Sequence, residues 1–186
     1  MYLSVIIPYY NEKENISDNL IQIYDFFKNK FEFEIILVDD SGRKNFSKIF
    51  NQKKIKNLKV VENYKNFGKG YSFKEGLKNS SGKLILLADA DLSTPIKDFE
   101  KLYSFYKIGY SIVIGSRNLL NSTIKNERPF KRKIVGRSFN ILLRLILNLN
   151  YSDTQCGFKL FESKTIKKIV KNSFVNRFCI DPEILY

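Results

Sequence analysis

The sequence predicts an α/β protein with a Rossmann-like, mostly parallel sheet covered by helices on both faces. Two observations predict this class. Short runs rich in Ile, Val and Leu alternate with stretches of helical spacing over the first 120 residues. These runs are apolar on both sides, as strands buried inside a parallel sheet are. The length of 186 residues fits a single domain.

The individual elements follow from this alternation. The apolar runs predict strands at residues 3–8, 34–39, 58–62, 83–88, 111–116 and 157–161. The first helix is predicted from apolar residues spaced by four, three and four positions: Ile16, Leu20, Ile23 and Phe27. After Pro95, a second helix face is predicted from Phe99, Leu102 and Tyr106. A basic helix is predicted at residues 163–172.

The charge balance favours an anionic partner. The chain has 32 basic and 19 acidic residues, a formal net charge of +13. Nucleic acid, an acidic membrane surface and phosphorylated substrates all fit that charge, as does a solvated lysine-rich surface. Because the chain has no histidine, His-based triads and His-liganded metals are excluded. Two cysteines are too few for a disulfide framework or a zinc site, so a metal would be held by oxygen, which favours Mg²⁺ or Mn²⁺.

The hydropathy pattern favours a cytoplasmic location. No run reaches the roughly 18 uninterrupted apolar residues that a spanning helix needs, and the N-terminus lacks the basic start of a secretory signal. Residues 125–144 carry seven basic side chains against one acid and lead into an amphipathic run at residues 139–149. That run either lies on an anionic bilayer or packs as an ordinary core helix.

Acidic residues follow the predicted fourth strand, where ligands bind in open α/β sheets. Asp89 and Asp91 are two positions apart, so on an extended chain their side chains point to the same side. A divalent ion would relieve the repulsion between them and could also hold a diphosphate. The alternative is a turn whose first aspartate caps the helix near Pro95.

Two further motifs are candidates for nucleotide contacts. Asp39 and Asp40 end the second strand and can accept a nucleobase N–H or a ribose hydroxyl; alternatively, Asp40 and Ser41 cap a loop. The segment NFGKG at residues 66–70 precedes a helix, and its Lys69 can meet a phosphate. It lacks the Walker spacing, and an ordinary glycine turn is its alternative.

Taken in order, VIIPYYNE, ILVDD, NFGKG, LLADADLS, IGSR and DTQCGFKLF resemble the family 2 glycosyltransferases with the GT-A fold. The resemblance covers almost the whole chain and is closest to the polyprenyl- and dolichyl-phosphate glycosyltransferases. DTQCGFKLF at residues 153–161 resembles the glucosyltransferase branch, and RKIVGR at residues 132–137 resembles the mannose synthase branch as well.

The resemblance implies a metal-dependent, inverting hexosyltransferase. The donor would be a nucleotide diphosphate sugar, UDP-glucose rather than GDP-mannose, and the acceptor a polyprenyl or dolichyl phosphate. The resemblance implies donor contacts from Pro8, Tyr10, Glu12, Asp39, Asp40, Lys69, Asp89, Ala90, Asp91 and Arg177. It implies Mg²⁺ or Mn²⁺ at Asp89, Asp91 and Ser93. The catalytic residues would be Asp91, Arg117 and Arg132, and the acceptor side would be lined by Arg117, Arg132 and Gln155.

Some positions depart from the family pattern. Ser93 stands where mannose synthases often have a glutamine, which puts the metal ligands in doubt, and Gly136 replaces a serine that could donate to a phosphate. Relatives continue beyond a segment like FCIDPEILY. We therefore expect residues 1–120 to bind the nucleotide sugar and residues 121–186 to form an acceptor part that is truncated at its C-terminal end.

These inferences define the expected partners. They are a nucleotide-sugar donor, a lipid-phosphate acceptor and an anionic membrane surface, with the protein peripheral on the cytoplasmic face. A membrane-protein partner or the missing C-terminal segment would complete the acceptor site, and no nucleic acid is expected. Three alternatives remain. A family 2 transferase with a saccharide hydroxyl acceptor would need a base such as Asp153 or Asp181. A basic nucleic-acid-binding module and a nucleotidyltransferase are the others.

Overall fold

A computed structural model describes residues 1–11, 16–44, 46–49, 55–116, 151 and 153–186. The first part of the chain contains β1 (Leu3–Tyr9), α1 (Ile16–Phe27), β2 (Phe33–Asp39), α2 (Phe46–Ile49), β3 (Leu58–Glu62), α3 (Lys69–Lys78) and β4 (Leu84–Leu87). After a 3₁₀ turn (Ile96–Asp98) follow α4 (Phe99–Lys107), β5 (Ile112–Ile114), β6 (Lys159–Glu162), α5 (Ser163–Lys171) and α6 (Ile180–Glu183). Each predicted strand is present, with ends displaced by a few residues.

The described strands form a six-stranded sheet in the order β3-β2-β1-β4-β6-β5. Strands β1 to β4 pair in parallel, which confirms the predicted sheet type. Strand β6 is antiparallel to both of its neighbours, β4 and β5. Lys159 at the start of β6 pairs with Leu87 at the end of β4. Strand β6 therefore begins on the side of the sheet where the carboxyl ends of the parallel strands lie.

The sheet has an apolar core on each face, as the two-sided strands predict. Successive side chains of a strand point to opposite faces. Ile7 of β1 accordingly lies in the cluster with α1 and α4, while its neighbour Ile6 lies in the cluster with α3, α5 and α6. Helices on both faces of the sheet are thus confirmed.

Aromatic rings hold α1 and α4 against the first face. All four predicted α1 positions are buried, and the ring of Phe27 is fully enclosed. Phe27 meets Phe99 of α4 edge-on, with ring centroids 4.9 Å apart. Truncating such a buried phenylalanine to alanine costs about 3–5 kcal/mol. This packing fixes α4 and the loop that precedes it.

Helix α3 packs closely on the opposite face. A Cβ atom added to Gly76 would lie 2.4 Å from Cγ2 of Ile6, so only glycine allows this approach. The contact directs the N-terminus of α3, with Gly68 and Lys69, to the edge where β1, β2 and β4 end.

Candidate functional site

Backbone hydrogen bonds join the carboxyl ends of β1, β2 and β3 at one rim of the sheet. The N–H of Asp40 donates to the carbonyl of Tyr9 at the end of β1, and the N–H of Asn63 donates to the carbonyl of Asp39. Both bonds have N···O distances of 2.8 Å. Residues at the ends of β1, β2 and β3 are therefore held close together.

The carboxylate of Asp40 holds the loop that leads into α3. One oxygen accepts hydrogen bonds from the Asn63 amide (2.8 Å) and the Phe67 N–H (3.0 Å), and the other accepts from the Gly68 N–H (2.7 Å). The side chain is almost completely buried. Asp40 thus caps the loop that leads into α3, a role of the loop-capping kind given above as its alternative. Its contact with a base or ribose stays a prediction.

Asp39 forms a tight turn with Ser41. Its two carboxylate oxygens accept from the Ser41 N–H at 3.0 Å and the Ser41 hydroxyl at 2.9 Å. Burial raises the pKa of Asp39, and the hydrogen bonds from Ser41 offset part of that effect. Asp39 therefore lies at the rim in the predicted place, with its carboxylate turned into the protein.

The Asp89-Ala90-Asp91 segment leaves the end of β4 as a structured turn. Ala90 is buried, and its carbonyl accepts a hydrogen bond from the Asn19 amide of α1 at 2.8 Å. Asp91 is exposed and accepts from the Ser93 N–H (2.9 Å) and the Ser93 hydroxyl (2.5 Å). An outward-facing carboxylate is thus fixed at the rim. The helix-capping alternative for Asp89 does not apply, because its carboxylate pairs with a lysine.

That lysine is Lys69, the first residue of α3. Its ammonium lies 3.1 Å from a carboxylate oxygen of Asp89 and 3.2 Å from one of Asp181 in α6. The other oxygen of Asp181 lies 2.5 Å from the ammonium of Lys159, whose side chain is fully buried. Four charges of alternating sign therefore run from the core to Asp89.

Gly157 packs closely against the carboxylate of Asp89. A Cβ atom at position 157 would lie 2.0–2.2 Å from the carboxylate atoms of Asp89. Any side chain there would collide with the carboxylate. The Asp89 carboxylate therefore contacts both the ammonium of Lys69 and the backbone at Gly157.

The oxygen donors at this rim fit a divalent ion that arrives with a diphosphate. Among the described residues, no group of three His, Cys, Asp or Glu side chains forms a complete protein cage. Mg²⁺ usually needs no cage, because it binds through one or two carboxylates together with phosphate oxygens and water. Asp91 supplies an exposed carboxylate of that kind, and Asp89 supplies a second one that is shared with Lys69.

The other predicted site residues are distributed around the rim. Pro8 is half-buried in β1, while Tyr10, just after the strand, is half-exposed. Gln155 is half-buried and donates its backbone N–H to Asp153 at 3.1 Å. Arg177 is exposed, and its side-chain stem lies against Gly68.

Three predicted residues cannot be compared with the structure. Glu12, Arg117 and Arg132 lie outside the described residues, as does the amphipathic run at residues 139–149. Their predicted roles stay predictions.

Sequence reasoning missed the residues that support Asp89. The sequence assigns no role to Lys159, and it offers Asp181 only as a base for a hydroxyl acceptor. Gly157 lies in the DTQCGFKLF motif but has no role assigned to it there, and Asn19 belongs to no motif. The one available signal was the placement of a lysine inside the apolar strand GFKLF, since buried lysines require a partner.

The fold and rim define a GT-A glycosyltransferase domain, and the chain belongs to glycosyl transferase family 2, whose profile matches residues 4–170. Its relatives include a dolichyl-phosphate beta-glucosyltransferase of Dictyostelium discoideum, 34% identical over 201 residues, and one of Homo sapiens, 30% identical over 203 residues. These alignments cover 100% and 99% of this chain but 62% of each relative. The chain thus spans about three fifths of the length of these relatives.

Solved structures share the fold at lower identity. Glucosyl-3-phosphoglycerate synthase from Mycobacterium tuberculosis in complex with UDP aligns with a TM-score of 0.69 and 18% identity, covering 99% of this chain and 64% of the other. The mannosyltransferase PcManGT from Pyrobaculum calidifontis, in complex with GDP-Man and Mn²⁺, aligns with a TM-score of 0.60 and 16% identity, covering 97% and 49%. Both likenesses support the fold.

Within the described ranges, none of the helices combines the length and apolar character needed to cross a membrane.

Proposed function

We propose that this protein transfers glucose from UDP-glucose to a dolichyl or polyprenyl phosphate with inversion at the sugar carbon. The observation that carries the proposal is the 34% identity across the whole of this chain to a relative named dolichyl-phosphate beta-glucosyltransferase. The acidic rim at the end of β4 supplies the chemistry that such a donor requires.

The donor diphosphate would bind at Asp89 and Asp91 through Mg²⁺ or Mn²⁺. Asp91 faces solvent in a fixed turn, so it can coordinate an ion without rearrangement of the backbone. When bound, the ion neutralises the charge that develops on the leaving diphosphate. Arg177 lies beside Gly68, close enough in the fold to add a second positive charge to this side of the rim. Lys69 and Ser93 complete the polar surroundings.

A phosphate acceptor is favoured because the two acids offered above as general bases, Asp153 and Asp181, are poorly placed to act as one. A lipid phosphate oxygen is already anionic at neutral pH, so no general base has to deprotonate it. A saccharide hydroxyl would need one. Asp181 is a poor base because both of its oxygens face lysine ammonium groups. Asp153 is buried and accepts a backbone N–H.

The acceptor side would rely on arginine. We propose that Arg117 and Arg132 hold the lipid phosphate, since planar guanidinium groups bind phosphate in a bidentate manner. The net charge of +13 favours approach to an anionic membrane surface, where the acceptor resides.

A transfer assay with Asp91→Asn tests the donor site. We expect the loss of at least about 100-fold in transfer from UDP-glucose to a short polyprenyl phosphate, since one electrostatic contact to a developing charge contributes that much. Asp98→Asn is the matched control, because Asp98 lies on the helical turn before α4 and its carboxylate pairs with Lys101 of α4. Wild-type transfer by Asp91→Asn would refute the metal role.

A comparison of substrates tests the identity of the donor and of the acceptor. UDP-glucose, GDP-mannose and other UDP-sugars are compared with Mg²⁺ or Mn²⁺, each with polyprenyl phosphate and with a free saccharide acceptor. We expect UDP-glucose and the lipid phosphate to be the active pair. Transfer to the saccharide alone would reject the lipid-phosphate acceptor and favour the hydroxyl alternative.

A further inference from the structure

Lys69 occupies an unusual position for a lysine at an anion-binding rim. The sequence suggests that it meets a phosphate, yet its ammonium lies 3.1 Å from Asp89 and 3.2 Å from Asp181. Its side chain is only 17% exposed. The two carboxylates, rather than water, therefore surround the charged group.

The buried part of this charge chain keeps Lys69 in place. Lys159 is fully buried and Asp181 is 4% exposed, with 2.5 Å between their charged atoms. An unpaired charge in such a place is strongly unfavourable, so this pair is fixed. The second carboxylate oxygen of Asp181 accepts a hydrogen bond from the ammonium of Lys69 and so anchors Lys69 to this pair.

Lys69 stays charged in this environment. Its ammonium forms ion pairs with both Asp89 and Asp181, and these contacts stabilise the charged form. A positive charge therefore lies against Asp89 before any ligand binds. A cation that coordinates Asp89 must compete with it.

We propose that Lys69 is an internal counter-ion of Asp89 that disfavours the free divalent ion and makes the rim select the complex of that ion with a nucleotide diphosphate. This inference depends on the proposed donor site. A free ion can coordinate the Asp91 carboxylate, but at Asp89 it is repelled by the ammonium of Lys69. The metal–diphosphate complex brings its own negative charge, which is attracted to that same ammonium.

The size of the effect follows from the geometry. An ion that shared one oxygen of Asp89 with the Lys69 ammonium would lie at most about 5 Å from it, given metal–oxygen distances of about 2 Å and the 3.1 Å separation of the ion pair. Even at the dielectric constant of water, the repulsion between a divalent ion and an ammonium at that separation weakens binding about tenfold.

The test measures Mn²⁺ binding by electron paramagnetic resonance, first without nucleotide and then with UDP. Lys69→Met should bind Mn²⁺ alone about tenfold more tightly than the wild type. The ratio of Mn²⁺ affinities with and without UDP should fall. Lys69→Met does not remove either partner of the Lys159–Asp181 pair, and its circular dichroism spectrum should match that of the wild type. Lys69→Arg should restore wild-type behaviour.

Two controls locate the effect. Lys101→Met removes an ammonium that lies 2.8 Å from Asp98 and has no contact with Asp89 or Asp91 among the ion pairs of the described residues, so it should leave Mn²⁺ affinity unchanged. Adding Asp89→Asn to Lys69→Met should abolish the gain. Mn²⁺ affinity of Lys69→Met equal to or below that of the wild type would overturn the inference. That failure is distinct from failure of the proposed function, which the transfer assay with Asp91→Asn detects in the presence of nucleotide sugar.

Discussion

Replacing Asp40 with asparagine removes the charge that holds the loop before α3. The carboxylate accepts three hydrogen bonds, from the Asn63 amide and from the N–H groups of Phe67 and Gly68. Asparagine has one oxygen, so its amide nitrogen must face at least one of these donors. A buried N–H left without an acceptor costs about 1–3 kcal/mol, and the remaining bonds lose their charge-assisted strength. We expect the free energy of unfolding to fall by about 2–4 kcal/mol.

Urea unfolding of the full chain measures this change. Asp98→Asn is the matched control, since Asp98 makes a partly exposed ion pair with Lys101, and we expect a change below about 0.5 kcal/mol. UDP binding is followed in the same variants. Unaltered stability of Asp40→Asn would refute the proposed loop-holding role. Loss of UDP binding without loss of stability would instead support the nucleotide contact predicted from the sequence.

Two further substitutions test the hydrogen bonds of Glu34 in β2 and the packing of Gly157 against Asp89 at the rim. Burial alone would raise the pKa of Glu34, but hydrogen bonds from Ser4 and Ser81 lower it below its ordinary value of 4.5. The stabilisation is therefore present above the unfolded pKa and is lost as the pH falls through the folded pKa, so Glu34→Gln should be destabilising at pH 7 and progressively less so below about pH 4.5 in thermal unfolding. Gly157→Ala should displace the Asp89 carboxylate, because the new Cβ would lie about 2 Å from it, and we expect weaker Mn²⁺–UDP binding by isothermal titration calorimetry.

Each of these variants has a matched control. Glu32→Gln replaces an exposed carboxylate, 74% accessible, and should leave the pH dependence of unfolding unchanged. Gly109→Ala introduces the same methyl group where nothing lies within 4 Å, so it should leave Mn²⁺–UDP binding intact despite the strain of its φ of +106°. An identical acid dependence for Glu34→Gln and the wild type, or undiminished ligand binding by Gly157→Ala, would contradict the geometry.

The local signals of the sequence predicted most of the fold. Apolar runs located the strands, and the spacing from Ile16 to Phe27 located a helix face that is buried in full. The antiparallel direction of β6 was not predictable in this way, because an apolar run locates a strand without showing in which direction it pairs with its neighbours.

The site was predictable only at the level of motifs. Asp89 and Asp91 lie at the end of β4 as expected. What each acid contacts could not be predicted, because the partners come from distant segments. The donors to Asp40 lie more than 20 residues away from it in the chain. Of the two lysines that contact Asp181, Lys69 is 112 residues away and Lys159 is 22 residues away.

The place of β6 between β4 and β5 has a consequence for how the protein assembles. Leu3 of β1 pairs with Leu84 of β4, and Leu84 pairs in turn with Glu162 of β6, so two successive long stretches of chain must be closed to form the centre of the sheet. Closing such stretches carries an entropic cost that grows with their length. Topologies of this kind fold slowly. A nascent chain that has emerged only as far as β5 would have its acidic turn in place without Gly157, Lys159 or Asp181 around it. Ligand competence is therefore expected to arise as one of the last events of folding.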